Sequence, residues 1–358
     1  MKTFRIIFTA IVLAACALPA VLLLLGFKNA NAENRPLAKM PAVVENGGPN
    51  LEFARGFDKY FDDNFALREY LVAGCSAVSV SLLGDYNGQN AVIGKEGRIY
   101  YADTLDDYQG LGTLSASDIA SAADYLAALQ KQYEDMGVRL VFLIAPNKAT
   151  IYPEYMPDQL AVTDSERNID LLQAALDERG VNYIDAKALL TAQKPNYDLY
   201  YLRDSHWNNT GAVLVYNAAA QMLGLDTYDP SDFTTVCDYK GDLVNFVYPS
   251  QKHYEDRAVY LMPREYRPEE HSVNFDMFDI NRTSSEANDI CLLIYHDSFG
   301  KSLQPIFSPS VGSLVMIKSN SPKYRAEDAV TYGADAVIVE LVERNLDLLC
   351  EYAVKNGF

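Results

Sequence analysis

Asp204 and His206 stand two residues apart in the stretch YYLRDSHWNN (200–209), and Ser298 follows an apolar run in LLIYHDSFG (292–300). A serine hydroxyl is a poor nucleophile until a base takes its proton, and the base must itself be held by a third group. In extended backbone, residues i and i+2 point the same way, so the Asp204 carboxylate can lie beside the His206 ring. There it fixes the imidazole tautomer and stabilises the imidazolium. The three residue types thus suit acyl transfer through a serine ester. Each piece also has a plainer reading. A lone histidine is more often structural, and Asp-Ser-Phe after a strand arises by chance. A metal site built from Asp204, His206, His296 and Asp297 lacks four-ligand spacing and leaves Ser298 unexplained, so neither a metal nor a cofactor is expected.

Such residues need a frame, and the hydropathy pattern supplies one. Apolar runs read as strands at Val138–Pro146, Val181–Ala186, Ile290–Tyr295, Gly312–Ile317 and Asp335–Val342. Amphipathic stretches at Ile119–Met136, Ile169–Gly180 and about Thr210–Leu223 read as helices, the first with Ser117 or Asp118 as N-cap. Continuous apolar strands alternating with helices indicate an α/β fold with a parallel sheet covered on both faces. In such sheets functional groups gather at the carboxyl ends of the strands, where Asn147-Lys148, His296–Gly300, Lys318–Ser321 and Glu343–Asn345 all fall. A turn after Ile290–Tyr295 would expose the Ser298 hydroxyl and offer backbone N–H groups to an oxyanion.

The remainder organises around this frame. Lys2 and Arg5 precede an apolar run from Ile6 to Phe27, about 22 residues and close to the ~20 that span hydrocarbon. The positive-inside rule then places everything after Lys28 outside the cytoplasm. Two competing readings, a signal peptide cleaved at Ala30-Asn31-Ala32 and a lipoprotein box at Leu13–Cys16, also place it outside. Glu33 to Asn50 reads as a polar stalk, Phe53 to Phe65 as a helix, and Ala91–Tyr101 as a β-hairpin around Gly94 and Gly97. Residues 228–288 are polar and tyrosine-rich and read as an insertion or small subdomain. The domain plan is therefore 1–32 as signal anchor, 33–115 as arm, helix and hairpin packing on the core, and 116–350 as the α/β domain with its insertion. The net charge of −18 argues against nucleic acid and against a polybasic membrane contact. Cys75, Cys237, Cys291 and Cys350 show no disulfide framework or metal pattern, and scattered buried thiols explain them at least as well.

The order of the blocks carries a resemblance. Rotated to begin at Ile290, the chain runs LLIYHDSFG, SLVMIKSN, GADAVIVELVERN, RLVFLIAPNKATIYP, VNYIDAKALL and LRDSHWNNTGA. This resembles an SGNH hydrolase domain (flavodoxin-like), circularly permuted before its nucleophile strand. With Asp-x-His-Trp and an N-terminal membrane segment, the chain resembles the alginate O-acetyltransferases of the AlgX/AlgJ type and the DHHW proteins. ENRPLAKMP (33–41), DNFALRE (63–69), GKEGRIYY (94–101), APNKATIYPE (145–154) and VERN (342–345) resemble further family segments.

The resemblance implies Ser298 as nucleophile, His206 as general base and then acid, and Asp204 as its orienter. It implies the Ser298 N–H as one oxyanion donor, with Asn345 or Arg344 as candidates for a second. Lys148 and Trp207 are further substrate-site candidates, Trp207 either stacking on sugar or packing in the core. His296 stands where a glycine often precedes Asp-Ser, which implies a tighter turn or an added titratable group. The implied activity is extracytoplasmic transfer of acetyl groups to polysaccharide hydroxyls. A carbohydrate esterase and a non-catalytic polysaccharide-binding scaffold of an export complex are the alternatives. An exported transferase lacks cytosolic acetyl-CoA, so a membrane-bound O-acyltransferase is the expected donor partner. The acidity of the chain favours a neutral or zwitterionic polymer over a polyanion.

Overall fold

The structure is a computed structural model that describes residues 2–27, 37–45, 48–78, 90–248, 253–260, 262–269, 280–319 and 321–358. The Ala30–Ala32 motif, Glu33–Pro36 of the stalk and Asn320 lie outside the described residues. Contacts divide the chain into two units, Met1–Ala91 with Leu243–Lys252, and Val92–Asp242 with His253–Phe358.

In the first unit, α1 (Lys2–Leu24) is the apolar N-terminal run. Thr3–Leu24 spans 22 residues at a mean hydropathy of 2.7, long and apolar enough to cross a membrane. Next come α2 (Phe53–Asn64) and α3 (Arg68–Val78). The helical spacing of Phe53, Phe57, Phe61 and Phe65 stacks their rings in series, with centroids 5.4–6.4 Å apart. Asp63 accepts from the Ala38 N–H, and Asn64 donates to the Ala38 carbonyl, so this pair ties the arm to α2.

The second unit opens at Val92 within the hairpin of β1 (Ala91–Ile93) and β2 (Ile99–Tyr101). Then follow α4 (Ala116–Asp135), β3 (Arg139–Ala145), α5 (Asn168–Arg179), β4 (Tyr183–Ile184), α6 (Ala186–Gln193) and α7 (Asn209–Leu223). A ribbon of β5 (Thr234–Tyr239) and β6 (Glu255–Val259) precedes β7 (Tyr266–Pro268) and β8 (Ile280–Ser285). The chain closes with β9 (Cys291–His296), β10 (Ser313–Lys318), α8 (Ala326–Tyr332), β11 (Ala336–Val342) and α9 (Leu346–Lys355).

The main sheet runs β4-β3-β11-β9-β10-β8-β7. Its first five members are mutually parallel, as expected, while β8 and β7 join antiparallel at one edge. The sheet is therefore mixed, and part of 228–288 belongs to it. The polar INRTSS of β8 hides that strand, because an antiparallel strand with alternating burial needs no continuous apolar run. Strand alternation divides the core in two. Val141, Leu143, Leu292, Ile294 and Ile338 face the α6 and α7 layer, whereas Leu140, Phe142, Leu293, Tyr295 and Val337 face α4, α5 and α9.

Several sequence boundaries shift. The α4 N-cap is Ser115, whose Oγ accepts from the Asp118 N–H, and not Ser117 or Asp118. Helices α6 and α8 span only 8 and 7 residues, too few for a helical period to stand out in the sequence, and α9 follows the last predicted strand. The hairpin, placed in the 33–115 region on sequence, belongs to the same unit as the sheet. The Ile99 N–H donates to the Leu202 carbonyl and the Tyr100 hydroxyl to the Tyr152 carbonyl. Cys75 and Cys237 are exposed free thiols, Cys291 is half-buried and Cys350 is buried, with no disulfide among the described residues.

Candidate active site

The carboxyl ends of β3, β9 and β11 converge, and the loop between α6 and α7 lies over them. The Asp297–Phe299 turn leaves β9, its geometry set by the aspartate. Asp297 Oδ1 accepts from the Phe299 N–H at 2.9 Å and Oδ2 from the Val342 N–H at 2.7 Å, fastening the turn to β11. The Asp297 N–H donates to Glu340 Oε2. Burial, then the nearby Asp297 charge, hold the Glu340 carboxyl well above its ordinary range. A Cβ at Gly300 would sit 2.4 Å from the His296 Cβ, so only glycine allows this return of the chain. Ser298 remains partly open, while its neighbours Asp297, Phe299 and Gly300 are buried.

The three predicted residues meet. His206 Nε2 lies 2.8 Å from Ser298 Oγ and His206 Nδ1 lies 2.6 Å from Asp204 Oδ1. With Nδ1–H donating to the carboxylate, Nε2 turns a lone pair toward the Ser298 hydroxyl. Asp204 is 1% exposed, and its two oxygens receive four donors: His206 Nδ1, the His206 N–H, the Tyr239 hydroxyl and the Asp242 N–H. Burial alone would raise its pKa, yet the His206 bond and charge, with the backbone bonds, hold it well below the carboxylate range. For His206 the balance is opposite. Burial disfavours the charged ring, but the Asp204 hydrogen bond and charge, with that of Asp242, outweigh it and raise the pKa. Asp204, His206 and Asp242 come close enough to suggest metal ligands. The Asp204 lone pairs are already spent on four donors, so the geometry is that of a hydrogen-bonded relay.

The other predicted residues fall in different places. Trp207 is buried, its indole N–H donating to the Phe299 carbonyl at 3.2 Å and to Ser302 Oγ at 2.5 Å, with its ring edge-on to Phe299. It locks the histidine loop to the serine turn and, 1% exposed where it borders the cleft, packs in the core. Lys148 does not reach a substrate either. Its ammonium is buried and donates to the carbonyls of Ile99, Leu202 and Asp204 at 2.7–3.1 Å, joining the hairpin to the histidine loop. Burial pushes its pKa down to about 7, while the three carbonyls take all of its N–H groups. Lys148→Met should therefore lower stability by about 3 kcal/mol, because three buried carbonyls lose their donor. A urea-unfolding midpoint checks this, and an unchanged midpoint counts against it.

His296 is buried behind the turn, with Nδ1 2.6 Å from the Asp297 carbonyl, and burial lowers its pKa. It backs the turn and does not line the cleft. The Arg344 guanidinium stacks over Phe299 at 5.6 Å and Tyr101 at 5.4 Å, and its charge acts on His206. Asn345 is half-buried on the turn after β11 and is not among the cleft-lining residues. Among the described residues no acceptor holds the Ser298 N–H.

Ser298 and His206 open into a cleft of about 860 Å³. Tyr201, Tyr239, Tyr260 and Tyr266 line it with Arg257, Arg264 and Lys301. Tyr239 and Asp242 went unseen in the sequence, because nothing at a fixed spacing links the ribbon to the Asp-x-His loop.

Comparison with known proteins agrees with this architecture. A family model described as the SGNH hydrolase-like domain of the acetyltransferase AlgX matches residues 91–285, which hold Asp204 and His206. A probable alginate O-acetylase AlgJ of Pseudomonas syringae pv. tomato is 25% identical over 257 residues, covering 69% of this chain and 61% of that protein. The chain thus spans about three fifths of that relative's length. A second probable alginate O-acetylase AlgJ, from Pseudomonas aeruginosa, is 24% identical over 324 residues, covering 86% of this chain and 76% of that protein. A solved DHHW family protein from Eubacterium siraeum shares the fold, with a TM-score of 0.51 at 17% identity over 66% of this chain and 89% of that one.

Proposed function

Because the chain belongs to the family of the SGNH hydrolase-like domain of the acetyltransferase AlgX, we propose that it is an O-acetyltransferase that esterifies hydroxyl groups of a polysaccharide through an acetyl-Ser298 intermediate. The observation that carries this reading is the series Ser298 Oγ, His206 Nε2, His206 Nδ1 and Asp204 Oδ1, linked at 2.8 and 2.6 Å. His206 takes the Ser298 proton as Oγ attacks the donor's acetyl carbonyl, then returns it to the leaving oxygen. In the second half, His206 deprotonates the sugar hydroxyl that attacks the acetyl-serine, and gives that proton to Ser298 Oγ as the serine oxygen leaves the new ester. The developing oxyanion would be received by the Ser298 N–H, with Arg344, whose guanidinium lies over the ring of the adjoining Phe299, as second donor.

The surroundings support an extracytoplasmic acceptor. The N-terminal helix suits an anchor or an export signal, and its Lys2 and Arg5 favour a cytoplasmic N-terminus. An acetyl group would then reach Ser298 from a membrane-bound O-acyltransferase. The cleft has the volume of a small-ligand site and a tyrosine lining suited to sugar. Its Arg257 is held by both oxygens of Asp238 at 3.0 and 2.8 Å, and Arg264 lies 3.4 Å from Asp226. These partners blunt the charge a polyanion would seek, which favours a neutral or zwitterionic polymer. In the same reading, His206 precedes Ser298 in the chain because the domain is permuted ahead of its nucleophile strand.

The deciding assay supplies an activated acetyl ester with and without neutral oligosaccharide. Transfer predicts acetylated sugar and an acceptor-dependent rise in turnover. Hydrolysis at the same rate in both arms would make the protein an esterase. No turnover in either arm, with oligosaccharide still bound, would leave the scaffold reading.

A further inference from the structure

The ribbon β5–β6 and the turn after β5 hold the histidine loop at the backbone N–H groups of Leu202, Arg203 and Ser205. Glu255 on β6 accepts from the N–H groups of both Leu202 and Arg203. Tyr239, at the end of β5, stacks on Tyr201 with centroids 3.7 Å apart and donates its hydroxyl to Asp204 Oδ2. Three residues on, Asp242 Oδ1 accepts from the Ser205 N–H at 2.9 Å and Oδ2 from the Ser205 hydroxyl at 2.7 Å, while its own N–H donates to Asp204. This close approach requires Gly241, where a Cβ would lie 2.1 Å from the Arg203 carbonyl oxygen. The result leaves Asp242 Oδ2 3.5 Å from His206 Nδ1, so a second carboxylate faces the same ring edge as Asp204.

We propose that Asp242 is a positioning residue of the site, a second carboxylate that holds the Asp204–His206 loop through Ser205 and adds its charge to the side of the imidazole away from Ser298. This rests on the assignment of His206 as the base. The polar groups around the ring are Asp204 and Ser205 on its own loop, Asp242 after β5, with Tyr239 behind Asp204, Arg344 from the end of β11, and Ser298 from the β9 turn. Asp204 and Asp242 favour the charged ring, whereas Arg344 opposes it. Asp242 itself titrates above the ordinary carboxylate range, first through burial and then through the Asp204 charge. It therefore supports His206 only where it is ionised.

The sign follows directly. The base works when neutral, so activity rises with pH through the His206 pKa, and removing the Asp242 charge lowers that pKa. Asp242→Asn should move the acid limb of the kcat/KM profile to lower pH. It should also reduce the plateau roughly ten-fold, short of the 10²–10⁴ lost with a general base itself. Asp242→Glu, which keeps the charge, should lower the plateau and leave the limb in place. Asp242→Ser removes the charge if the asparagine variant fails to fold. NMR titration of the His206 ring in a Ser298→Ala background reads the same shift without any turnover. A His206 titration unmoved by Asp242→Asn or Asp242→Ser overturns the proposal whatever the activity shows. A shifted titration beside full activity in Ser298→Ala would instead sink the catalytic assignment and leave the electrostatic one standing.

Discussion

Replacing Ser298 by alanine is expected to cut acetyl-ester turnover by at least about 10⁴-fold, the scale seen when a nucleophile of a serine–histidine pair is removed. Ser298 Oγ is the atom aligned with the His206 lone pair, at 2.8 Å, and it opens into the cleft. Without it, the residual rate has only the oxyanion donors and substrate binding to draw on. The change should spare the fold. The hydroxyl is partly exposed, and the turn around it is fixed by Asp297, Glu340 and Gly300 and not by the serine side chain. Unfolding free energy should stay within about 0.5 kcal/mol of the parent. Mass spectrometry gives an independent reading. The parent, quenched during turnover, should carry one acetyl group on the peptide containing Ser298, and the variant none. Full activity in the variant would refute a serine ester.

What the sequence revealed follows from how locally each feature is encoded. Asp204 and His206 lie two apart on one bend, and Ser298 lies directly after a continuous apolar strand, so each half was legible locally, while the order of the blocks paired them. The five parallel strands were legible because burial on both faces makes them largely apolar runs. The features that escaped are set by contacts between distant segments. Asp242 reaches Ser205 and Asp204 from a ribbon that no periodicity ties to them. Glu340 looks like a polar error inside AVIVELV until the Asp297 backbone N–H is seen above it. The roles of Lys148 and Trp207 are open in the sequence for one shared reason. A cation or a large ring beside a catalytic motif serves equally well as a ligand contact or as a buried brace. Only the satisfaction of their donors, by three carbonyls for Lys148 and by Phe299 and Ser302 for Trp207, separates the two uses.

Asp204→Asn should be nearly as damaging as loss of the serine, about 10⁴-fold in kcat, by a different route. The carboxylate is an acceptor on both oxygens, while a carboxamide has only one acceptor atom and two donor hydrogens. Four donors converge on Asp204, from His206 Nδ1, the His206 N–H, the Tyr239 hydroxyl and the Asp242 N–H. Whichever way the amide turns, its NH₂ meets two of them. If it faces His206, the ring must present a lone pair at Nδ1, and the proton moves to Nε2. The base then points an N–H at Ser298 and cannot accept its proton. If it faces Tyr239 and Asp242 instead, the tautomer survives, but the Asp242 N–H is left buried without an acceptor and the ribbon loses its grip on the loop. The negative charge that raises the His206 pKa disappears in either orientation. The acid limb of any residual activity should therefore lie at lower pH than in the parent. Stability should change with a definite sign as well. The Asp204 pKa is depressed by folding, so its contribution is present above the ordinary carboxylate pKa and fades only as pH falls through the depressed value. The variant should accordingly be less stable than the parent at neutral pH and approach it in strong acid. A denaturation series across pH, run beside the rate profile, measures both effects on the same protein, and near-parental kcat in Asp204→Asn would exclude the carboxylate from orienting the base.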